Sequence, residues 1–319
     1  MKKIVFSILI PTYKSRFLKE AIESVLSQSY SHFEIVIVDD CSPENIRCVV
    51  DSYVDDRIRY YRNDYNIGGI DVVENWNRCL NYAIGDFVIC MGDDDMLCSN
   101  CLEEYLFLID KYPNLNVFHG MTEMIDENGQ ICDAQDLRPE FEPTSLFILN
   151  RWRGRKQYIG DFLFRTTVLK SLGGFYKVPL AWGSDDISAA MVAGSDGIAN
   201  TYKTVFLYRY SGITISRNHM EKYKMQAVLE EEDWYRVFME SLTAHNERER
   251  IFVKLLFNEF FRYFSKKKAM LMADSISYNP LSVFYWLSCR RQLKISFSYF
   301  LYGLLMSFFV RINSKNRIS

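Results

Sequence analysis

Residues 85–97 read GDFVICMGDDDML, and this stretch decides the fold. Phe87 to Met91 is a short apolar run between Gly85 and Gly92, the pattern of a buried strand. It ends in three consecutive carboxylates, Asp93, Asp94 and Asp95. Residues 33–40, FEIVIVDD, repeat the design: an apolar strand that ends in Asp39 and Asp40.

Working outward, Val5 to Ile10 is a further apolar run, stopped by Pro11, and Ile58 to Tyr61 is a short third strand. Between the strands lie helical patterns. Phe17 to Leu26 has apolar residues at 17, 18, 21, 22, 25 and 26; Pro43 suits the first turn of a helix reaching Val54; Val72 to Ala83 and Asn100 to Lys111 complete the set. Strands alternating with such helices predict an α/β fold with a mostly parallel, Rossmann-like sheet. Ligands of such sheets bind beyond the carboxyl ends of the strands. Both acidic clusters are expected there, on one edge. Asp126-Glu127-Asn128-Gly129 reads as a hairpin turn, Gly183 to Asp186 opens a helix, Thr204 to Tyr210 reads as a strand, and the chain beyond His219 is helical. The expected division is a catalytic domain, 1–220, with a donor half 1–112 and an acceptor half 113–220, and a helical C-terminal region, 221–319.

The 319 residues are 49% apolar, with 23 Phe and 21 Tyr against 7 Pro, which excludes a disordered chain. The net charge of −2 hides an asymmetry. From Ser265 on there are nine Lys or Arg and one acid, net +8, so the preceding residues carry −10. Nucleic acid is not an expected partner. The start, MKKIVFSILIPTYK, lacks the apolar length and small-residue cleavage site of a signal peptide. With eight scattered cysteines this implies a reducing, cytoplasmic setting. Cys98 and Cys101 form a lone CxxC, short of two ligands for structural zinc, and read as buried thiols.

Three adjacent carboxylates raise one another's proton affinity. A hard divalent cation, Mg²⁺ or Mn²⁺, relieves that repulsion, and such ions are commonly held by one or two carboxylates plus substrate phosphates. The plain alternative is an exposed acidic loop capping the next helix. Neither G-x-G-x-x-G nor G-x-x-x-x-G-K-[ST] is present, which argues against a dinucleotide-dependent dehydrogenase and a P-loop NTPase.

Taken in order, SILIPTYK (7–14), FEIVIVDDCSPE (33–44), NIGG (66–69) with NWN (75–77), and GDFVICMGDDDML (85–97) resemble the family 2 glycosyltransferases of the GT-A fold. The likeness is specific over residues 4 to about 102 and looser to about 217. It implies inverting transfer of a sugar from a nucleoside diphosphate sugar, UDP-linked, to a hydroxyl of a glycan or lipid-linked acceptor in cell-surface polysaccharide assembly. It also implies site roles. Pro11, Thr12 and Tyr13 line the base pocket, Asp40 accepts from the base, Asp93 touches ribose or metal water, and Asp94 and Asp95 bind the metal. Arg209 clamps the diphosphate; Arg217 is a second clamp candidate and His219 a metal candidate. After Gly173-Gly174-Phe175, one acid of Asp185-Asp186 is the general base, Asp186 ahead of Asp185. Two departures stand out: Gly92 where the family often has an acid, and Trp76 where it commonly has Arg. A nucleotidyltransferase and a catalytically silent membrane-bound scaffold are the alternatives.

Residues 295–310, ISFSYFLYGLLMSFFV, hold 12 apolar residues of 16, with basic residues on both sides. That is short for a span and suits a helix lying in anionic headgroups. The expectation is peripheral attachment at the inner face of the plasma membrane. A helix packed on the catalytic domain and a homodimer contact are the alternatives.

Overall fold

The computed structural model describes residues 3–69, 71–210 and 220–315. Arg217 and His219 lie outside these.

β1 (Phe6–Thr12), β2 (Phe33–Asp39), β3 (Ile58–Arg62) and β4 (Phe87–Cys90) pair in parallel in the order β3-β2-β1-β4. The apolar runs of β1, β2 and β4 are almost wholly buried, while β3, at the sheet edge, is half-buried. The crossovers are α1 (Leu18–Leu26), α2 (Ile46–Val50) and α3 (Val72–Tyr82). α2 is shorter than the residue pattern predicts. Its N-cap is Asn45, whose side chain accepts from the Cys48 N–H, so Pro43 stands ahead of the helix.

β5 (Met96–Leu97) follows the acidic triplet, then α4 (Cys101–Lys111), β6 (Val117–Ile125), β7 (Ile131–Ala134), β8 (Phe141–Glu142), α5 (Thr144–Trp152), β9 (Phe162–Arg165), α6 (Thr166–Ser171), α7 (Ser184–Ala193) and β10 (Ile198–Arg209). The main sheet order is β3-β2-β1-β4-β9-β6-β10-β5. Parallel pairing resumes between β6 and β10, but β9 runs antiparallel between β4 and β6. The sheet is therefore mixed, with β1 to β4 parallel and a second parallel pair, β6 and β10, beyond β9. Leu18, Ile22, Val25, Leu102, Tyr105 and Ile109 from α1 and α4 close one face of the sheet against Ile8, Ile10, Ile35 and Ile89. Burying such side chains is worth roughly 1.5–3 kcal/mol each.

Two compact units result: residues 1–177 with 184–212, and residues 178–183 with 213–319. The boundary falls near the expected 220, but the segment 178–183 groups with the second unit. That unit contains α8 (Glu221–Ser241), α9 (Glu247–Tyr278), α10 (Ser282–Cys289) and α11 (Phe297–Lys315). Among the described residues no helix is long and apolar enough to cross a membrane.

Candidate active site

The carboxyl ends of β1, β2 and β4 bring the expected donor residues together. Asp93 Oδ2 accepts from Thr12 Oγ1 at 3.1 Å and from the backbone N–H groups of Tyr13 and Lys14, both at 2.8 Å. Asp93 thus pins the turn that follows β1. Burial pushes its carboxyl up despite these donors. Thr12 is buried, Pro11 half-buried, and Tyr13 is 40% exposed, which leaves its ring open to a ligand.

Asp40 points inward. Its Oδ1 accepts from Asn63 Nδ2 at 2.7 Å and from the Ile67 N–H at 2.9 Å, and its Oδ2 from the Gly68 N–H at 2.7 Å. The same Asn63 amide reaches Asn75 on α3 at 2.9 Å. In this arrangement Asp40 holds the 63–68 loop in place. The neighbouring Cys41 has φ of 54°, a left-handed conformation of the kind that clusters at functional sites. In the NWN segment, Trp76 packs edge-on against Phe175. Asn77 accepts from the Phe175 N–H at 2.7 Å and donates to the Phe175 carbonyl at 3.0 Å. The segment thereby ties α3 to the distant Gly173-Gly174-Phe175.

The acidic triplet divides its labour. Asp95 is buried; its Oδ1 accepts from the Arg209 N–H at 2.9 Å and its Oδ2 from the Gly92 N–H at 3.2 Å. A Cβ at Gly92 would fall 2.9 Å from both Asp94 Oδ1 and Asp95 Oδ2. The space for an acid at 92 is therefore occupied by the two carboxylates that follow. Asp94 is half-buried, and among the described residues the one hydrogen bond to its carboxylate comes from its own N–H. Burial, then Asp93, raises its carboxyl; burial, then Asp94, raises that of Asp95 much further. Each Asp95 oxygen takes one backbone hydrogen bond, and Asp94 is the more accessible of these two carboxylates.

Arg209 is buried too. Its guanidinium donates to the carbonyls of Asp94 (2.8 Å), Asp126 (3.1 Å) and Glu127 (3.4 Å), pairs with Glu20 at 2.7 Å and lies over the Phe17 ring. This arginine fastens the triplet loop to the 126–129 turn and to α1.

On α7, adjacent residues meet different surroundings because each step along a helix turns the side chain by about 100°. Asp186 is buried and held on both oxygens by Arg151 Nε at 2.8 and 2.9 Å and on Oδ1 by Gln157 Nε2 at 2.5 Å. Asp185 is only partly buried, and its carboxyl is pushed up to about 7 by desolvation and then by the Asp186 charge. A base needs access and a proton affinity near working pH. Asp185 is the more accessible of the two carboxylates, while Asp186 is bonded to Arg151 and Gln157.

Tyr158 and Tyr208 stack at 3.7 Å between ring centres, 10° from parallel. Burial, then Asp95, Tyr158, Asp94 and Asp185, raises the Tyr208 hydroxyl, so this ring lies within electrostatic reach of both acidic groups. Sequence reading missed the pair, along with Arg151 and Gln157. The available signal was Tyr208 beside Arg209 at the end of an apolar strand.

The family described as Glycosyl transferase family 2 matches residues 7–169, just over half of the chain. The chain belongs to glycosyltransferase family 2. Among its relatives, the Escherichia coli UDP-Glc:alpha-D-GlcNAc-diphosphoundecaprenol beta-1,3-glucosyltransferase WfgD is 32% identical over 130 residues, 40% of this chain and 50% of that protein. An uncharacterized Haemophilus influenzae glycosyltransferase is 32% identical over 148 residues, 46% of this chain and 48% of that one. The chain thus spans about half the length of these curated relatives. The S. aureus TarS structure, residues 1–349 with UDP-GlcNAc, superposes with a TM-score of 0.61 at 19% identity, over 86% of this chain and 81% of that one. That likeness shows the GT-A fold. In this family 2 glycosyltransferase, Asp94 lies inside the family match and Asp185 beyond its end.

Proposed function

We propose that the chain transfers a sugar from a UDP-sugar to an acceptor hydroxyl with inversion, in assembly of a glycan carried on a lipid diphosphate. The observation that carries this reading is the pair of unlike carboxylates around Tyr208: Asp94, open at the strand ends, and Asp185, with its carboxyl pushed up to about 7. The donor and acceptor classes are supported by the name of WfgD and by TarS structures solved with UDP-GlcNAc and UDP.

Asp94 fits a Mg²⁺ or Mn²⁺ ion. It offers oxygen ligands, lacks a donor from another described residue, and sits in a triplet whose ionised forms are disfavoured by burial. Among the described residues no three His, Cys, Asp or Glu form a ready cage; an ion completed by substrate phosphates and water needs none. The ion would supply charge stabilisation to the departing diphosphate. Tyr13 offers its ring to the uracil, while Asp93 and Asp40 hold the loops that shape the pocket. Asp185 accepts the proton of the acceptor hydroxyl as that oxygen bonds to the anomeric carbon and the bond from that carbon to the UDP oxygen breaks. The products are the inverted glycoside and UDP, with the proton on Asp185.

Turnover with a panel of UDP- and GDP-sugars and a GlcNAc-diphospholipid acceptor tests the proposal. UDP release with a β-linked product from an α-linked donor is expected. Retained configuration, or no turnover of any donor, would overturn it.

A further inference from the structure

The second unit exposes an apolar stripe that its own packing leaves uncovered. On α11, Phe300, Gly303 and Ser307 are buried, and a Cβ at Gly303 would fall 2.3 Å from Met272 Cε and 2.7 Å from the Ala269 carbonyl oxygen of α9. That close approach fixes which side of α11 faces α9. Leu301, Leu305, Phe308 and Phe309 follow at steps of four, three and one, which places them together on the other side of a 3.6-residue helix. With Leu281 and Phe284 at the start of α10, they are between 45% and 73% exposed. Single exposed apolar residues are ordinary; a run of four large ones along one face of α11 marks an interaction surface.

The charges that flank the stripe in sequence are of one sign. After Asp274 the chain holds no Asp or Glu, while Arg290, Arg291 and Lys294 stand between α10 and α11 and Arg311, Lys315 and Arg317 follow in sequence. Arg290 donates to the Ile295 carbonyl at 2.9 Å and lies over the Phe297 ring, and Lys294 pairs with Asp233 at 2.8 Å. Arg291 is exposed and has no acidic partner among the described residues.

We infer that α10 and α11 dock on the headgroup region of an anionic lipid bilayer. Apolar side chains enter the acyl boundary and the flanking cations meet lipid phosphates. Charge decides between occupants: a second copy would bring the same positive rim against itself, whereas an anionic bilayer is complementary. The helices lie in the interface, since no described helix is long and apolar enough to cross it. This surface is independent of the sugar-transfer chemistry.

The test is flotation of the full chain with vesicles of phosphatidylglycerol and phosphatidylcholine in equal amounts, against pure phosphatidylcholine. Binding to the anionic vesicles is expected, weakened by salt. Leu305→Glu combined with Phe308→Glu should lower it about a hundredfold, at roughly tenfold per lost apolar anchor. Arg291→Glu should lower it about tenfold. UDP affinity of all variants should match the parent, which separates loss of docking from loss of fold. No vesicle binding by the parent overturns the inference, as does unchanged binding by the double variant. So does a dimer in solution that the double variant converts to monomer without any effect on flotation.

Discussion

Asparagine at 185 and at 186 should give opposite kinetic results, although the two side chains are neighbours on one helix. The Asp185 carboxyl is pushed up to about 7, with Asp186 the largest charged cause. At pH 6 about a tenth of the enzyme then holds the free base, and at pH 8 about nine tenths, so kcat/KM should rise through pH 7 with unit slope. Asp185→Asn removes the base and should cost about 10²- to 10⁴-fold in kcat at unchanged UDP affinity. Asp186→Asn removes the charge that raises Asp185 and leaves the positive charge of Arg151, which lowers it, without a counter-charge at 186. The acid limb should move to lower pH, while the plateau rate falls less than tenfold. The asparagine oxygen still accepts from Arg151, so the stability cost should stay near 1–3 kcal/mol. The assay is UDP release from pH 5 to 9 (an interval on the order of two units either side of the limb), with urea denaturation as control. If Asp186→Asn abolishes transfer while Asp185→Asn keeps its pH limb, the proposal of Asp185 as base is wrong.

Other consequences follow from the same contacts. Arg209→Met strips the donor from three carbonyls and the partner from Glu20, and should cost about 3 kcal/mol in denaturant unfolding. Unchanged stability with lost donor affinity would mark Arg209 as a diphosphate clamp. Asp161 is buried, and desolvation raises its carboxyl from 3.8 to about 8. The folded state holds this proton more tightly than the unfolded chain, so stability should fall as pH rises from 3.8 towards about 8 and level off above. Asp161→Asn should flatten that slope in urea melts taken across pH; an unchanged slope would show that the proton sits elsewhere. Gly174→Ala would put a Cβ 2.3 Å from Asn77 Oδ1 at a φ of 93° and should cost about 2 kcal/mol, read from the shift in thermal midpoint; no shift would mean that the Asn77–Phe175 tie is dispensable.

The donor half is legible in sequence because its code is local. Apolar runs such as FEIVIV and FVIC bury both faces of a strand, and the acids that end them fall on one sheet edge by topology alone. β9 is different: FLFR is just as apolar, but its antiparallel insertion between β4 and β6 depends on long-range pairing. Side-chain roles are harder still. Nothing in the string DDD says that Asp93 turns back to the β1 loop, that Asp95 is taken by Arg209 and Gly92, and that Asp94 is left open. The contrast between Asp185 and Asp186 has the same origin: Arg151 and Gln157 lie some 30 residues upstream and bond to Asp186. Arg209 shows the limit of charge as a guide, since an arginine at a strand end reads the same whether it meets phosphate or, as here, backbone carbonyls.

Calorimetric titration of UDP into the protein with and without Mn²⁺, repeated on Asp94→Asn, tests the central claim most directly. The account predicts binding that requires the ion and is lost in Asp94→Asn, with the variant's unfolding midpoint unchanged. Equal UDP affinity without the ion, or full metal-dependent binding by the variant, would contradict it.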